Sequence, residues 1–308
     1  MDADELILLN EALTDLVDAR ADDLPAALAE FGWPELLVEE PAVAVGTLFR
    51  LQGAKLTAAT LLDAVMAAEW VDGPDRVVLP MPPRVRPFVV RDGRVQVDGL
   101  LTGPVTNGTV AVATDRGVHA VPVAALDQRT DPGLDPHRAW TRVSGDIAVD
   151  DPIADDGARA RAVAAGRRAL AAELLGIAER MLTLAVEHTT TRVVFGHKLA
   201  GFQVVRHKLA DVRVAGEIAE LALAAAFADA DPLAAALAKA HAVRYVRTAR
   251  EHAQQLLGGM GFSWEHEFHW YLRRALLLEP LLGGTAALRG EVGARLVEER
   301  RLPDLVPL

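Results

Sequence analysis

Residues 170–184 read LAAELLGIAERMLTL, and the apolar residues in this stretch recur at helical spacing. Five of them follow one another at intervals of four, three, four and three residues: Leu170, Leu174, Ile177, Met181 and Leu184. Such intervals place one apolar stripe along an amphipathic helix. Similar patterns predict further helices at about 204–227, 232–257, 266–278 and 285–300. Because long helices joined by short turns are typical of a bundle, we predict an antiparallel four-helix bundle here.

The residues that precede this bundle have a different pattern. Short Val-rich runs separated by turn signals fill residues 71–156, where Asp-Gly pairs at 92–93 and 98–99 are typical of hairpins. Prolines exclude a helix in this region: Pro80, Pro82, Pro83 and Pro87. Helical spacing returns in residues 1–70. We therefore predict an α+β fold with a shortened N-terminal helical domain (1–70), a small antiparallel β-domain (71–156) and the C-terminal helical bundle (157–308).

The composition excludes several classes of function. The chain has 308 residues and a formal net charge of −11. This charge disfavours nucleic-acid binding, because a protein that binds nucleic acid needs a surplus of Lys and Arg to neutralise the phosphates. It has no cysteine, which removes disulfides, thiol nucleophiles and thiolate metal sites. Its serines, Ser144 and Ser263, lie outside any Gly-x-Ser-x-Gly motif, which disfavours a serine hydrolase. The sequence also predicts no signal peptide and no membrane span, and we expect a cytoplasmic protein.

One segment is rich in groups that bind metals. Residues 264–269 read WEHEFH, but His266 and His269 lie three residues apart, whereas the zinc-protease motif places its two histidines four apart. A di-iron bundle would need Glu-x-x-His on two helices, which this sequence does not show. We therefore predict no metal, and the roles of Glu265, His266 and His269 stay open.

Two other features allow a polar ligand without requiring one. Residues 258–261, GGMG, are similar to a phosphate-binding turn, but they follow a helix, so a helix C-cap is the simpler interpretation. Several basic residues form either a solvated face or an anion site: Arg192, Lys198, Arg206 and Lys208. On residue types alone, the chain is a helical–β–helical protein for which an anion site is one interpretation.

Taken together, six short motifs resemble the FAD-dependent acyl-CoA dehydrogenases. In chain order they are RVVFG at 192–196, GFQ at 201–203, LAD at 209–211, QLLGGMGF at 255–262, YLRRA at 271–275 and GGT at 283–285. The FGWPELLV run at 31–38 is similar to the N-terminal Gly-Trp turn of that family. The resemblance is strong over about residues 158–300 and weak before them. It implies the three-domain fold of the family.

The resemblance also implies that groups needed for catalysis are missing. In this family a carboxylate removes the α-proton of an acyl-CoA while hydride leaves the β-carbon for flavin N5. The two places known for that carboxylate align with Gly283 and Gly166, so we assign no catalytic residue to this chain. The β-domain segments that would hold the flavin ring align with residues 77–83 and 100–107, which contain no Trp, Ser or acidic residue.

What the chain retains is implied to serve a neighbouring subunit. In the dimers of this family, the adenine and pyrophosphate end of FAD is held by the Arg-x-x-Phe-Gly and Gln-x-x-Gly-Gly motifs of the other subunit. The resemblance therefore predicts these FAD-binding residues: Arg192, Phe195, Gln203, Gln255, Gly258, Gly259 and Thr285. Arg192 would pair with pyrophosphate, and the glycines would let the backbone approach the cofactor.

The leading hypothesis is a catalytically silent subunit of a heteromeric acyl-CoA dehydrogenase, whose partner is a homologous catalytic subunit. Similarity to split dehydrogenases that shorten steroid side chains as CoA thioesters implies an α2β2 heterotetramer, a bulky acyl-CoA and an acceptor like electron-transfer flavoprotein. Two alternatives remain open. One is a self-sufficient homo-oligomeric enzyme whose base is displaced to Glu173, Glu179 or Glu279. The other is a flavin-free scaffold on the same fold.

Overall fold

The computed structural model describes residues 2–20, 23–70, 73–82, 86–131, 133–138, 140–229 and 231–300. Three parts of the predictions fall outside these residues: Pro83, the predicted first residue of the β-domain (71) and the last eight residues of the predicted bundle. The division into three domains stays a prediction.

Five helices come first. Their bounds are α1 Ala3–Ala19, α2 Leu24–Phe31, α3 Trp33–Glu39, α4 Pro41–Lys55 and α5 Leu62–Ala67. Asp2 and Glu5 form a capping box at the start of α1, where each side chain accepts a hydrogen bond from the backbone N–H of the other. Gly32 separates α2 from α3 in the left-handed conformation, with φ of +88°. These local signals set where the short helices begin and end.

Strands follow and form one seven-stranded sheet. Their bounds are β1 Val77–Pro80, β2 Val90–Arg91, β3 Arg94–Leu101, β4 Thr109–Thr114, β5 Gly117–Pro122, β6 Asp127–Asp131 and β7 Trp140–Ala148. The strand order is β5-β4-β1-β3-β7-β6, with β2 paired to β3. All pairs are antiparallel except β1 and β4, which run parallel with Val77 opposite Ala111. This sheet encloses its own small core: Val78, Val95, Val97, Val112 and Val143.

The C-terminal part contains five more helices and a small hairpin. Their bounds are α6 Asp156–Thr191, β8 Val193–Val194, β9 His197–Lys198, α7 Gln203–Ala228, α8 Pro232–Leu257, α9 Phe268–Leu278 and α10 Thr285–Glu299. Asp155 caps α6 through Ala158 N–H at 2.7 Å, and Asp231 caps α8 through Leu233 N–H at 2.9 Å. Among the described residues, no helix is long and apolar enough to cross a bilayer.

A close crossing joins the N-terminal helices to the bundle. A Cβ at Gly53 of α4 would lie 2.1 Å from the Glu173 carbonyl oxygen, and a Cβ at Gly176 of α6 would lie 2.0 Å from the Arg50 carbonyl oxygen. Only glycine fits at either position, because real Cβ atoms do not approach that closely. The large core therefore runs without interruption from α4 through α6 to α8 and α9.

Candidate functional site

A two-residue hairpin projects from the end of α6. Strands β8 and β9 pair Val194 with His197, and the residues between them, Phe195 and Gly196, have φ of +53° and +78°. Positive φ at both central residues is the pattern of a type I′ turn, which normally uses Asn-Gly. Phe195 is 90% exposed, so its ring gains almost no burial for a backbone conformation that costs about 1 kcal/mol.

Backbone hydrogen bonds hold this hairpin on the bundle. Arg192 N–H donates to the His188 carbonyl at 2.9 Å, and Leu199 N–H donates to the Arg192 carbonyl at 2.9 Å. The Arg206 guanidinium donates to the Ala200 carbonyl at 2.7 Å. The Arg192 side chain remains exposed, and α7 then begins at the exposed Gln203. The hairpin is thus fixed at its base and bare at its tip.

A second segment with open backbone follows α8. Gln255 is exposed near the helix end, and Gly258 has φ of +58° and ψ of −132°, a conformation open essentially to glycine alone. A Cβ built on Gly258 or Gly259 would meet nothing within 4 Å, so open space adjoins both backbones. Phe262 is 77% exposed just beyond them. An approaching ligand can therefore reach main-chain atoms here.

These two segments lie at the same end of the bundle. Helices α6 and α8 end there, and α7, which connects them in the chain, begins there. The Arg180 guanidinium of α6 pairs with Glu267, ten residues after the end of α8, at 2.6 Å, so the C-terminal part of α6 lies beside the residues that follow α8. We call this end, formed by residues 192–203 and 255–259, the open end. It contains six of the seven predicted site residues, all except Thr285.

Thr285 lies elsewhere. It begins α10, directly after Gly283 and Gly284, and the Gly283 carbonyl accepts a hydrogen bond from Lys239 at 2.6 Å. Lys239 precedes Gln255 by sixteen residues in α8, a distance of about 24 Å along the helix. Thr285 Oγ1 is buried and has no hydrogen-bond partner among the described residues. The structure therefore does not bring Thr285 together with the other six.

The loop that contains Gly283 is held by two buried cations. Lys239 Nζ donates to the carbonyls of Glu279 at 3.1 Å, of Leu281 and of Gly283. Burial lowers the pKa of Lys239 well below its usual value. Arg167 donates to the Leu282 carbonyl at 3.0 Å and pairs with Glu291 at 2.7 Å. The four hydrogen bonds to the carbonyls of residues 279, 281, 282 and 283 keep this loop in place.

A small cavity lies under this loop, between the sheet and α6. Its volume is about 30 Å³, which is about the volume that one molecule occupies in liquid water. The lining residues are Met66, Val77, Val78, Leu79, Pro80, Pro87, Ala113, Arg159, Val163 and Leu282. A Cβ at Gly166 would lie 2.6 Å from Leu282 and 2.9 Å from Met66 Sδ. We call this space the closed cavity; in the described part of the chain, no carboxylate lines it.

Each of the carboxylates considered as a displaced base is in an ion pair. Glu173 is 0% exposed and contacts Arg138 at 3.0 Å and Arg274 at 3.2 Å. Glu279 contacts Arg247 at 2.9 Å and Arg250 at 2.8 Å. Glu179 accepts from Arg50 at 2.8 Å. These guanidiniums occupy the carboxylate oxygens with charge-assisted hydrogen bonds.

The segment at residues 264–269 packs as an aromatic cluster. The rings of Trp264 and His269 stack with centroids 4.6 Å apart, and the Arg273 guanidinium lies 4.6 Å from the Trp264 ring. His269 Nδ1 lies 2.7 Å from the His266 carbonyl oxygen. Among the described residues, no group of three His, Cys, Asp or Glu side chains could hold a metal ion.

Sequence reasoning missed Lys239, although a signal was present. Ala235, Lys239, Ala242 and Val246 lie at intervals of four, three and four on one face of α8, and all are buried. A lysine on an apolar stripe needs acceptors inside the protein. The loop carbonyls that supply them lie about forty residues later, so their identity needed the structure.

Comparisons with known proteins give the family of the bundle. Residues 158–297 match the family described as Acyl-CoA dehydrogenase, C-terminal domain. The acyl-CoA dehydrogenase IpdE2 of Mycobacterium tuberculosis is 36% identical over 146 residues, which are 46% of this chain and 43% of that protein. The matched stretch spans less than half the length of the curated relatives that the chain matches first.

Solved structures match nearly the whole chain. A Tcur3481–Tcur3483 steroid ACAD variant superposes with a TM-score of 0.75 at 20% identity, covering 96% of this chain and 99% of that chain. The ChsE4–ChsE5 complex from Mycobacterium tuberculosis gives a TM-score of 0.74 at 20% identity, with 99% of each chain covered. At this identity the likeness establishes the fold, and the predicted fold class is confirmed.

Proposed function

We propose, from the premise that residues 158–297 are an acyl-CoA dehydrogenase C-terminal domain, that the whole chain is a non-catalytic subunit of a heteromeric FAD-dependent acyl-CoA dehydrogenase. It would complete the FAD site of a homologous catalytic subunit. One observation carries this proposal. The residues predicted to bind the nucleotide part of FAD are exposed at the open end, whereas the closed cavity is too small to hold the flavin ring.

The open end fits the nucleotide part of FAD. Arg192 offers an exposed guanidinium to pyrophosphate, and Phe195 presents a ring to the adenosine portion. Gln203 and Gln255 offer exposed amides to the polar edges of the cofactor. The backbone of residues 258–259 is open to close approach. When bound, FAD supplies the acceptor for hydride; these residues of the chain would only hold it.

The closed cavity does not fit the flavin ring. About 30 Å³ of space is far below the 300–1,000 Å³ of typical ligand pockets. Apart from Arg159, which pairs with Asp156 at 2.7 Å, the lining side chains are apolar and offer the ring no hydrogen bond. A flavin at this position would have to displace Met66 and Leu282.

The absence of a base in this chain is part of the proposal. Positions 166 and 283 hold glycine. Glu173, Glu179 and Glu279 are ion-paired, which disfavours the alternative of a displaced base. Loss of a positioned general base lowers a rate by about 10²–10⁴. The partner subunit would therefore perform the proton abstraction, and the chain alone would be inactive.

The partner and substrate come from the likeness to other proteins. One matching structure is a complex of ChsE4 and ChsE5, and another is a steroid ACAD. We extend this to a homologous catalytic partner in an α2β2 heterotetramer that desaturates an acyl-CoA with a bulky, steroid-like acyl group. Electrons would pass to an acceptor like electron-transfer flavoprotein, and the complex would be cytoplasmic. Thr285 keeps its predicted role as a cofactor contact, although it lies apart from the open end.

Co-expression tests the proposal. The chain is prepared alone and with the homologous subunit encoded beside it, and flavin absorbance and 2,3-desaturation of acyl-CoA thioesters are measured on both. We expect a colourless chain and a yellow, active complex. Flavin and turnover from the chain alone would indicate the self-sufficient enzyme. Flavin absent from both preparations would indicate the scaffold.

A further inference from the structure

A groove of about 580 Å³ lies between α4, α6 and α7. Its volume falls in the range of small-molecule sites. The walls are mostly apolar and include Ala42, Gly46, Leu175, Leu223, Ala224 and Phe227. At one end, Arg50 pairs with Glu220 at 2.6 Å. The groove shares no lining residue with the closed cavity.

A second cation, Arg168, lies near the other end of this groove. On α6 it continues the face formed by Ala172, Leu175 and Glu179, at intervals of four, three and four residues. Its guanidinium carbon lies 5.5 Å from the centre of the Phe227 ring. Phe227 lies seven residues after Glu220 in α7, about 10 Å along the helix axis. The groove is therefore apolar in the middle, with Arg50 at one end and Arg168 near the other.

The two arginines differ in what they contact. Arg50 is satisfied by Glu179 and Glu220. Within the described part of the chain, Arg168 makes no ion pair and no hydrogen bond, and its Nη1 is buried. The acid that acts on it electrostatically, Glu69, is paired with Arg161 at 3.0 Å. The Arg168 side chain is only half-buried, so the exposed part of its guanidinium can donate to a ligand carboxylate.

We propose that this groove binds an amphipathic monocarboxylate, whose carboxylate pairs with Arg168 and whose apolar body lies against Leu175, Leu223 and Phe227. A carboxylate matches the geometry of a guanidinium. The ligand has a single negative charge, because Glu179 and Glu220 at the far end would repel a second one. The proposal does not depend on the FAD-binding role of the open end.

Calorimetric titration of the full-length chain tests this site. The probes are decanoate and decanol, which share an alkyl chain and differ in charge. We expect decanoate to bind and decanol to bind at least tenfold more weakly. Arg168→Gln should weaken decanoate binding about tenfold or more, because charge-assisted hydrogen bonds are lost.

Two further variants separate the groove from the fold. Ala224 is exposed, so Ala224→Phe fills the groove from α7 without disturbing the core, and it should abolish decanoate binding. The control Arg213→Gln removes an exposed arginine of α7 and should leave binding unchanged. Equal affinity for decanol, or decanoate binding that survives either Arg168→Gln or Ala224→Phe, would overturn the proposal. Failure of decanoate to bind the unsubstituted chain would overturn it too.

Discussion

The open end and the closed cavity differ in how far their backbone and polar groups are exposed and hydrogen-bonded within the chain. At the open end, Phe195 adopts a strained conformation and is 90% exposed, and Gly258 adopts a conformation that essentially only glycine tolerates, beside open space. At the closed cavity, Lys239 and Arg167 donate hydrogen bonds to the loop carbonyls, and mostly apolar side chains leave only about 30 Å³ of space. Strain with no benefit inside the chain indicates a function outside it. This contrast supports the proposal that the chain contributes to a site that it does not itself complete.

The largest expected effect concerns Glu173, the most deeply buried of the alternative bases. Glu173→Gln leaves Arg138 and Arg274 buried with one carboxylate fewer, and breaking a buried ion pair costs about 3–5 kcal/mol. Urea denaturation should therefore show a large loss of unfolding free energy. The control Glu187→Gln, whose carboxylate is exposed and 3.7 Å from Arg180, should change it by less than about 1 kcal/mol.

One result for Glu173→Gln would contradict the proposal that this chain has no catalytic base. If Glu173→Gln left the stability of the complex intact but abolished desaturation, Glu173 would be acting on substrate. The chain would then contain its own base.

The next effect concerns the lysine that holds the closed cavity. Lys239→Met keeps the length of the side chain but leaves the buried carbonyls of Glu279, Leu281 and Gly283 without their donor. We expect a loss of about 3 kcal/mol in unfolding free energy and faster hydrogen exchange in residues 279–285. Lys55→Met, at an exposed lysine, should have little effect. Unchanged exchange in this loop would show that Lys239 does not keep it closed.

A smaller effect in free energy concerns the open end in the complex. Arg192→Ala removes a charge-assisted donor for pyrophosphate, so the affinity of the apo-complex for FAD should fall about 10- to 100-fold. Fluorescence titration with FAD measures this. The stability of the chain alone should stay within about 0.5 kcal/mol, because the side chain is exposed. Arg94→Ala in the sheet is the matched control, and equal losses of affinity in both variants would contradict a specific role for Arg192.

The sequence predicted the helices of the bundle better than the state of its sites. Periodicity and caps are local, so the helix predicted at 232–257 matches Pro232–Leu257, and the one at 204–227 matches Gln203–Ala228 within a residue. The closed cavity could not be predicted, because Met66 and Leu282 meet there from distant parts of the chain. The ion pairs of Glu173 likewise join residues 35 and 101 positions away. Sequence alone left that glutamate available as a base.

Two hairpins of the same type provide the smallest and most direct comparison. The turn between β2 and β3 uses Asp92 and Gly93, with φ of +50° and +73°, and the turn between β8 and β9 uses Phe195 and Gly196 in the same conformation. Asp is common in the left-handed region, whereas Phe is not. Phe195→Asn should therefore raise the unfolding free energy by about 0.5–1 kcal/mol in urea denaturation.

The same substitution should lower the affinity of the complex for FAD in the fluorescence titration, because it removes the exposed ring. Opposite signs for stability and affinity are the signature of a residue kept for a partner's ligand rather than for the fold. Asp92→Asn, in the other hairpin, should leave both quantities unchanged within about 0.5 kcal/mol. If Phe195→Asn destabilised the chain, the ring would be supporting the fold. If Phe195→Asn stabilised the chain without weakening FAD binding, the Phe195 ring would not be contacting the cofactor.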